Sequence, residues 1–328
     1  MTMLNKLVSN ITALLLLGAL SVIYIPVASA SDVAHKWLMK MSQAAQDLNY
    51  RGHFVYQHNG QMEAMEIVHR SSNGVVQERL LSLNGSPREI IRNQQGVWCY
   101  LPDEKSIVVS HRKQAEKNFP ALVPMALDQL DPYYRFKMGR AERVSGRLAQ
   151  KVLITARDKY RYGYHLWADT VSGLLLKADL VNGKGMVLEQ FMFTNVTIGG
   201  DIPQSQLQTT VDKTDLVMHK PNPQQNAARG GSKWRFRDLP KGFMQVSYQQ
   251  RMNPMSDHSM THIVLTDGLA AVSVFIEPVG GKSTEGQNSM GAVNAWRTQM
   301  HDSQITAVGE VPANTVKKIA RAVHPGSR

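Results

Sequence analysis

Along most of this chain apolar and polar positions alternate, and in a few places they recur at helical spacing instead. From Ser31, the residues Val33, Trp37, Met41, Ala44 or Ala45 and Leu48 come round every three or four positions, with Lys36, Lys40, Gln43 and Gln46 between them. That stripe predicts a helix, N-capped by Ser31 or Asp32, whose apolar side packs most simply on a sheet. From Tyr50 the period drops to two. Strands are predicted at 50–57, 62–69, 75–83, 88–92, 97–101 and 107–110, with turns at His58-Asn59-Gly60, Asn73-Gly74 and Asn84-Gly85. Asn-Gly pairs suit tight hairpins because both residues tolerate positive φ. A second group follows at 133–138, 150–156, 160–168, 174–181 and 186–198, with Asn182-Gly183 at a turn. Many strands joined by short turns have to pair antiparallel, since parallel pairing needs long crossovers. Between the groups, residues 121–130 read as a short helix bounded by Pro120 and Asp131-Pro132.

The alternation lapses over residues 212–233, where Pro, Gly, Asn and Gln cluster and apolar side chains are few. Such a segment cannot build a core and reads as a flexible linker. Strand patterns resume at 244–250, 261–265 and 270–277, and Pro312-Ala313-Asn314 can open a last helix at 315–323. The predicted fold class is α+β. A large antiparallel sheet with helices against it occupies 31–211, and a smaller α+β domain occupies 234–328.

The N-terminus follows neither pattern. Lys6 precedes an apolar stretch at 11–25, then Pro26 and the small-residue site Ala28-Ser29-Ala30. Charge, apolar run and A-x-A in that order predict a secretory signal peptide over residues 1–30, cleaved after Ala30. The stretch is shorter than the roughly 20 residues that span a bilayer, which argues against a retained anchor. No cysteine follows Ala30 to carry a lipid. Cys99, the one cysteine, has no partner for an intramolecular disulfide. It lies in the apolar run Gly96-Val97-Trp98-Cys99-Tyr100-Leu101 and reads as a small core residue rather than a nucleophile.

The formal net charge is +11; residues 1–30 hold one lysine and no acid, so the remainder carries +10. Between Arg135 and Arg161 nine basic residues face only Glu142 and Asp158, and Tyr133, Tyr134, Phe136, Tyr160, Tyr162 and Tyr164 are interleaved. Nucleic acid is a poor fit for an exported chain. Anionic lipid headgroups or an acidic protein partner suit the compartment, and solvated strand faces with aromatics turned inward explain the same pattern. A second basic-aromatic cluster, Lys233-Trp234-Arg235-Phe236-Arg237, opens the C-terminal domain. Trp and Arg are common interface anchors, while Trp234 suits a core equally well.

Catalytic signatures are missing from the sequence. There is no His-Glu-x-x-His, no Cys-x-x-Cys and no Gly-x-Ser-x-Gly; Gly281-Lys282-Ser283 lacks the earlier glycine of a phosphate-binding loop, with Ile276 in its place. No enzyme, metal site or cofactor is expected.

Several segments together resemble the RseB/MucB family. They are YRGHFVY (50–56), EIVHR (66–70), QERL (77–80), LNGSPREIIR (83–92), CYLPD (99–103), LPKGF (239–243) and DGLAAVSVFIE (267–277). The resemblance runs in order through both domains. It implies a periplasmic negative regulator of a sigma-E type envelope-stress response, one that binds the periplasmic part of a membrane anti-sigma factor and protects it from regulated proteolysis. It further implies an N-terminal unclosed antiparallel β-barrel like LolA and LolB, with helices on its concave side. That domain would sense lipid, lipopolysaccharide or lipoprotein acyl chains. The C-terminal domain would make most of the partner contact. From the aromatic and basic clusters of the sequence, Trp234, Arg235, Arg237 and Lys241 are the candidate partner-binding residues. Trp37, Phe54, Tyr56, Trp98, Phe191 and Phe193 are the candidate lipid-binding residues. Self-association is left open. A lipid or lipoprotein carrier is the alternative, and an envelope hydrolase a more distant one.

Overall fold

The computed structural model of the chain describes residues 30–110, 127–219, 233–252, 258–280 and 285–326. The predicted signal peptide apart from Ala30, most of the predicted helix at 121–130, most of the linker and Gly281-Lys282-Ser283 lie outside them. Two large sheets, each with its own hydrophobic core, are joined through the chain after residue 219, and a two-stranded sheet accompanies the second.

The first helix, α1 (Ala30–Asp47), precedes a twelve-stranded sheet. Strands β1 (Tyr50–His58), β2 (Gln61–Ser72), β3 (Val75–Ser82), β4 (Glu89–Asn93), β5 (Gly96–Leu101) and β6 (Ser106–Ser110) meander outward from the middle of the sheet. A 3-10 turn over Leu127–Leu130 is the described part of the predicted second helix. Strands β7 (Tyr134–Val144), β8 (Arg147–Ala156), β9 (Gly163–Asp169), β10 (Leu175–Val181) and β11 (Val187–Ile198) then return from the far edge until β11 pairs with β1. Strand β12 (Val217–His219) joins β6 in parallel, and all other neighbours are antiparallel.

Helix α1 makes the sheet's curvature necessary. It touches both β2 and β7, which stand six positions apart in the strand order. Laid flat, six strand spacings span about 29 Å, far wider than a helix of about 10–12 Å. The sheet therefore wraps the helix, and its end strands β12 and β7 do not pair: it is an unclosed barrel. The helix's buried line is Ala34, Leu38, Met41 and Ala45, so its face is rotated from the predicted stripe. Val33 is exposed and Trp37 sits half-buried at the margin.

Close approach explains one glycine. A Cβ on Gly52 would lie 2.3 Å from the Asn195 carbonyl oxygen across β1 and β11, where the register shifts between His53 and Phe54.

The C-terminal unit begins with β13 (Trp234–Phe236) and continues through β14 (Met244–Met252), β15 (Ser259–Thr266) and β16 (Ala271–Pro278). Strands β17 (Gly286–Met290), β18 (Val293–Met300) and β19 (Ser303–Gly309), which the sequence reading did not find, complete a six-stranded sheet of order β14-β15-β16-β19-β18-β17. Helix α2 (Ala313–Arg321) packs on it, burying Val316, Ile319 and Ala320, and β20 (Val323–Pro325) pairs with β13.

Candidate functional site

Alternation along the central strands builds a cavity of about 440 Å³ on the concave side of the large sheet. Phe54, Tyr56 and His58 project into it from β1, Glu63 and Met65 from β2, Leu80 from β3, Tyr164 from β9, Ala178 and Leu180 from β10, and Glu189 and Phe191 from β11. Arg88 adds a cation, and Glu310 enters from the C-terminal unit. Both units therefore wall the cavity. The floor is apolar and aromatic: Phe54 and Phe191 line it and meet each other and the buried Phe193 behind them edge to face at centroid separations of 5.1–6.0 Å, a geometry that adds stabilisation beyond area burial.

Polar groups ring that floor. Arg88 Nη2 donates to Glu63 Oε2 at 2.7 Å, and His58 Nε2 lies 3.1 Å from Glu63 Oε1. Burial raises the Glu63 carboxyl, but bonds from His58 and Arg88 outweigh it and hold the group below its ordinary value. The Tyr56 hydroxyl donates to Glu189, and its phenol is pushed well up, first by burial and then by that bond and charge.

A second constellation lies at the junction of the two units. The turn between β15 and β16 inserts Leu269 into the core of the large sheet. Beside it, Asp267 and Arg161 are buried together. Arg161 Nη1 donates to Asp267 Oδ2 at 2.6 Å, and the Tyr134 hydroxyl donates to the same oxygen at 2.9 Å. Asp267 Oδ1 accepts the backbone amides of Leu269 and Ala270. The guanidinium also donates to the Lys241 carbonyl and to Asp158, and it lies 4.8 Å from the Tyr133 ring centroid and 5.4 Å from that of Phe243. The Tyr134 phenol is driven up by burial and then by the Asp267 charge. Two further bonds cross the junction, from Asn294 Nδ2 to the Tyr162 hydroxyl and from Thr315 Oγ1 to the Tyr160 carbonyl.

The structure brings three of the six candidate lipid-binding residues to the cavity: Phe54, Tyr56 and Phe191. Phe193 is wholly buried beside them, packed between Tyr50 and Phe191. Trp37 is at the edge of α1, with Lys40 Nζ over its ring. Trp98 lies on the opposite face of the sheet. Its register partner Ile91 and its neighbours Tyr100 and Ile107 form a separate cluster there with Val211 and Leu216. Sheet alternation puts neighbours Trp98 and Cys99 on opposite faces. Cys99 itself is half-buried, and burial pushes its thiol up.

Of the candidate partner-binding residues, Arg235, Arg237 and Lys241 are exposed. Trp234 is half-buried against the C-terminal core, opposite Pro325.

The basic-aromatic run proves to be divided. Arg161 is the junction cation, Arg147 pairs with Asp169, Lys151 lies over Trp167, and Arg157 donates to the carbonyls of Asp131 and Tyr134. Arg135, Lys137, Arg140 and Arg143 are exposed. The sequence reading missed Asp267, because its partner Arg161 stands 106 positions away. Among the described residues no group of three or more His, Cys, Asp and Glu could hold a metal ion.

Family comparison covers both units. The profile of the MucB/RseB N-terminal domain matches residues 33–211, and that of the MucB/RseB C-terminal domain matches residues 228–324. The sigma factor AlgU regulatory protein MucB of Pseudomonas aeruginosa is 33% identical over 95% of this chain and 96% of its own. The sigma-E factor regulatory protein RseB of Escherichia coli K12 is 28% identical over 92% and 93%. Among solved structures, MucB in complex with MucA(peri) aligns at a TM-score of 0.73 with 31% identity, covering 90% of this chain and all of that one. MucB crystallised alone aligns at 0.62 with 30% identity over 90% and 99%. With both domain profiles matched in order around one intact junction, the chain belongs to the MucB/RseB family of sigma-factor regulatory proteins.

Proposed function

We propose that this chain acts in the periplasm, after loss of residues 1–30, as a regulator of envelope-stress signalling. It binds the periplasmic part of a membrane anti-sigma factor, protects it from regulated proteolysis and releases it on taking up lipid. The observation that carries the reading is the cavity walled by both units, which makes ligand uptake and the placement of the units one equilibrium.

Apolar chain entry supplies the energy. Each methylene buried contributes roughly 0.8 kcal/mol, so a chain of several carbons shifts a two-state equilibrium if it fits one arrangement better. The comparison with MucB supports two arrangements in the family. This chain is more like MucB bound to MucA(peri) than MucB alone, at nearly equal identity and coverage. We read its present arrangement as the partner-binding one; release then requires that the lipid fit the other arrangement better, by opening the cavity between the units. Exposed Arg235, Arg237 and Lys241 contribute to the partner surface, and Trp234 holds their strand against the core.

A cleavage assay tests the protection step. The membrane protease that makes the first cut, supplied with the anti-sigma periplasmic segment, should cut slowly in the presence of residues 31–328 and quickly once a lipid amphiphile is added. Equal cleavage with and without the chain would refute protection.

A further inference from the structure

Two aliphatic side chains stand in water at the end of the large sheet. Val171 is 81% exposed and Leu148 is 58% exposed. They sit on adjacent turns, β9–β10 and β7–β8, where the Thr170 amide and hydroxyl both donate to the Leu148 carbonyl, at 3.0 and 3.1 Å. Apolar residues scattered singly over a surface are ordinary, but this pair is held in place. Lys40 Nζ donates to the Thr170 and Val171 carbonyls at 3.1 Å each, so α1 braces the turn from one side. Asp169 braces it from the other: Oδ2 accepts the Ser172 amide at 2.8 Å and hydroxyl at 2.7 Å, and the Asp169 carbonyl accepts the Gly173 amide. A turn bonded this fully cannot fold Val171 down onto the sheet. The side chain stays in water unless something outside the chain covers it.

Charge narrows what that is. Arg143, exposed, is the register partner of Leu148, and Lys40 and Arg147 complete a basic collar. Asp169, the acid inside the collar, is 2% exposed and takes Arg147 Nε at 2.9 Å. Glu142 is engaged by Trp167 Nε1 at 3.0 Å and by Lys151 at 3.5 Å. Lys40 Nζ also lies 4.9 Å from the ring centroid of half-buried Trp37. Aliphatic tips, cations around them and a tryptophan at the margin suit the surface of an anionic bilayer. The aliphatic groups enter the headgroup boundary, the cations meet phosphates and the indole lies at the interface.

We propose that Leu148 and Val171, with their collar of Lys40, Arg143 and Arg147, form a weak docking surface for an anionic phospholipid bilayer. Strand β7 runs from Tyr134, bonded to Asp267 at the junction, to Val144 beside the tips, about 30 Å away at the strand rise. A bilayer at the tips therefore leaves the junction uncovered. The surface goes beyond the regulator reading and does not depend on it, because bare vesicles contain no anti-sigma factor.

The test is co-sedimentation of residues 31–328 with vesicles of phosphatidylcholine, and with vesicles of two parts phosphatidylcholine to one part phosphatidylglycerol. Binding to the mixed vesicles should be at least about fivefold tighter, the contribution of roughly one cation near an anionic surface, and should weaken as salt is added. Leu148→Ser with Val171→Ser should lower it at least about fivefold, with an unchanged melting temperature because both side chains are already in water. Arg143→Ala should reduce the preference for phosphatidylglycerol and leave binding to neutral vesicles as it was. Ala178→Phe, which fills the cavity, should leave vesicle binding unaltered. Loss of binding in that variant but not in the double serine variant would place the contact at the cavity and overturn the proposal. Equal binding to both vesicles, or binding that the serine variant keeps, would overturn it too. So would no binding to either; self-association of the parent that the serine variant abolishes would then assign the tips to a second copy of the chain.

Discussion

Arg161, in the turn between β8 and β9, and Asp267, in the turn between β15 and β16, come from different units, and their side chains meet with no solvent exposure on either partner. Every oxygen lone-pair direction of the carboxylate is used: two backbone amides on Oδ1, the guanidinium and the Tyr134 hydroxyl on Oδ2. A buried ion pair so fully satisfied is costly to break from one side, because the partner is left as a bare charge. Asp267→Ala should therefore lower stability by about 3–5 kcal/mol, read from urea unfolding. Replacing both partners, as in Arg161→Met with Asp267→Leu, should recover much of that loss. A single variant within about 1 kcal/mol of the parent would show the pair to be less buried than described.

The junction also depends on a glycine. Gly242 has a φ of +89°, and a Cβ there would lie 2.5 Å from the Tyr133 ring that stacks on Arg161. Gly242→Ala is expected to destabilise the chain by about 1–3 kcal/mol through overpacking and backbone strain. Tyr133→Ser combined with it should relieve the steric part, giving a non-additive double-mutant cycle. Additive losses would place the strain in the backbone alone.

His69 gives the pH dependence a sign. Its ring stacks on Tyr50 at 4.5 Å, and Nδ1 donates to the Leu48 carbonyl at 2.9 Å. Burial pushes the imidazole below its ordinary value of 6.5, and this outweighs the upward pull of the Glu78 charge. The unfolded chain thus takes up the proton first. The His69 contribution is complete above about pH 6.5 and is lost as pH falls through the lower folded-state value. Melting temperatures taken between neutral and mildly acid pH should fall with pH, and less so in His69→Gln. An unchanged slope in that variant would assign the effect to other groups.

The cavity can be filled without touching the junction. Ala178 lines it between its cross-strand neighbours Phe191 and Leu166. Ala178→Phe should abolish binding of a decyl-chain probe, seen by calorimetry, while affinity for the anti-sigma segment stays within about twofold of the parent, a difference well under 1 kcal/mol. Retained probe binding would move the lipid site elsewhere.

Much of this architecture could be read from local signals. The turn residues Asn59-Gly60 and Asn73-Gly74 take the paired positive φ values that their sequence suggests. Alternation placed β1 and the returning β11, and with them Phe54, Tyr56 and Phe191. Six strands escape the sequence pattern: β12, which lies inside the predicted linker 212–233, β13, β20 and β17 to β19; the last three show why local reading stops. In β17, GQNSM, no side chain is buried, and β18 has one buried residue, Asn294, so neither carries an apolar period. They are held instead by pairing, β17 on β18 and β18 on β19, and by packing of α2 against β18. Arg161 is the sharper case. In sequence it is the last of nine basic residues and looks solvated; only the fold brings Asp267 to it. Trp98 illustrates the opposite failure, since an aromatic residue in an apolar strand says nothing of which face it takes.

The most direct measurement is a fluorescence anisotropy titration of residues 31–328 into a labelled periplasmic segment of the cognate anti-sigma factor, repeated with a lipid amphiphile present. Saturable binding that the lipid amphiphile weakens is the expected result, and Arg235→Ala with Arg237→Ala and Lys241→Ala should weaken binding in the absence of lipid. Saturable binding that no lipid alters would contradict the release mechanism. No binding would contradict the regulator reading itself and make the lipid carrier the better account of the cavity.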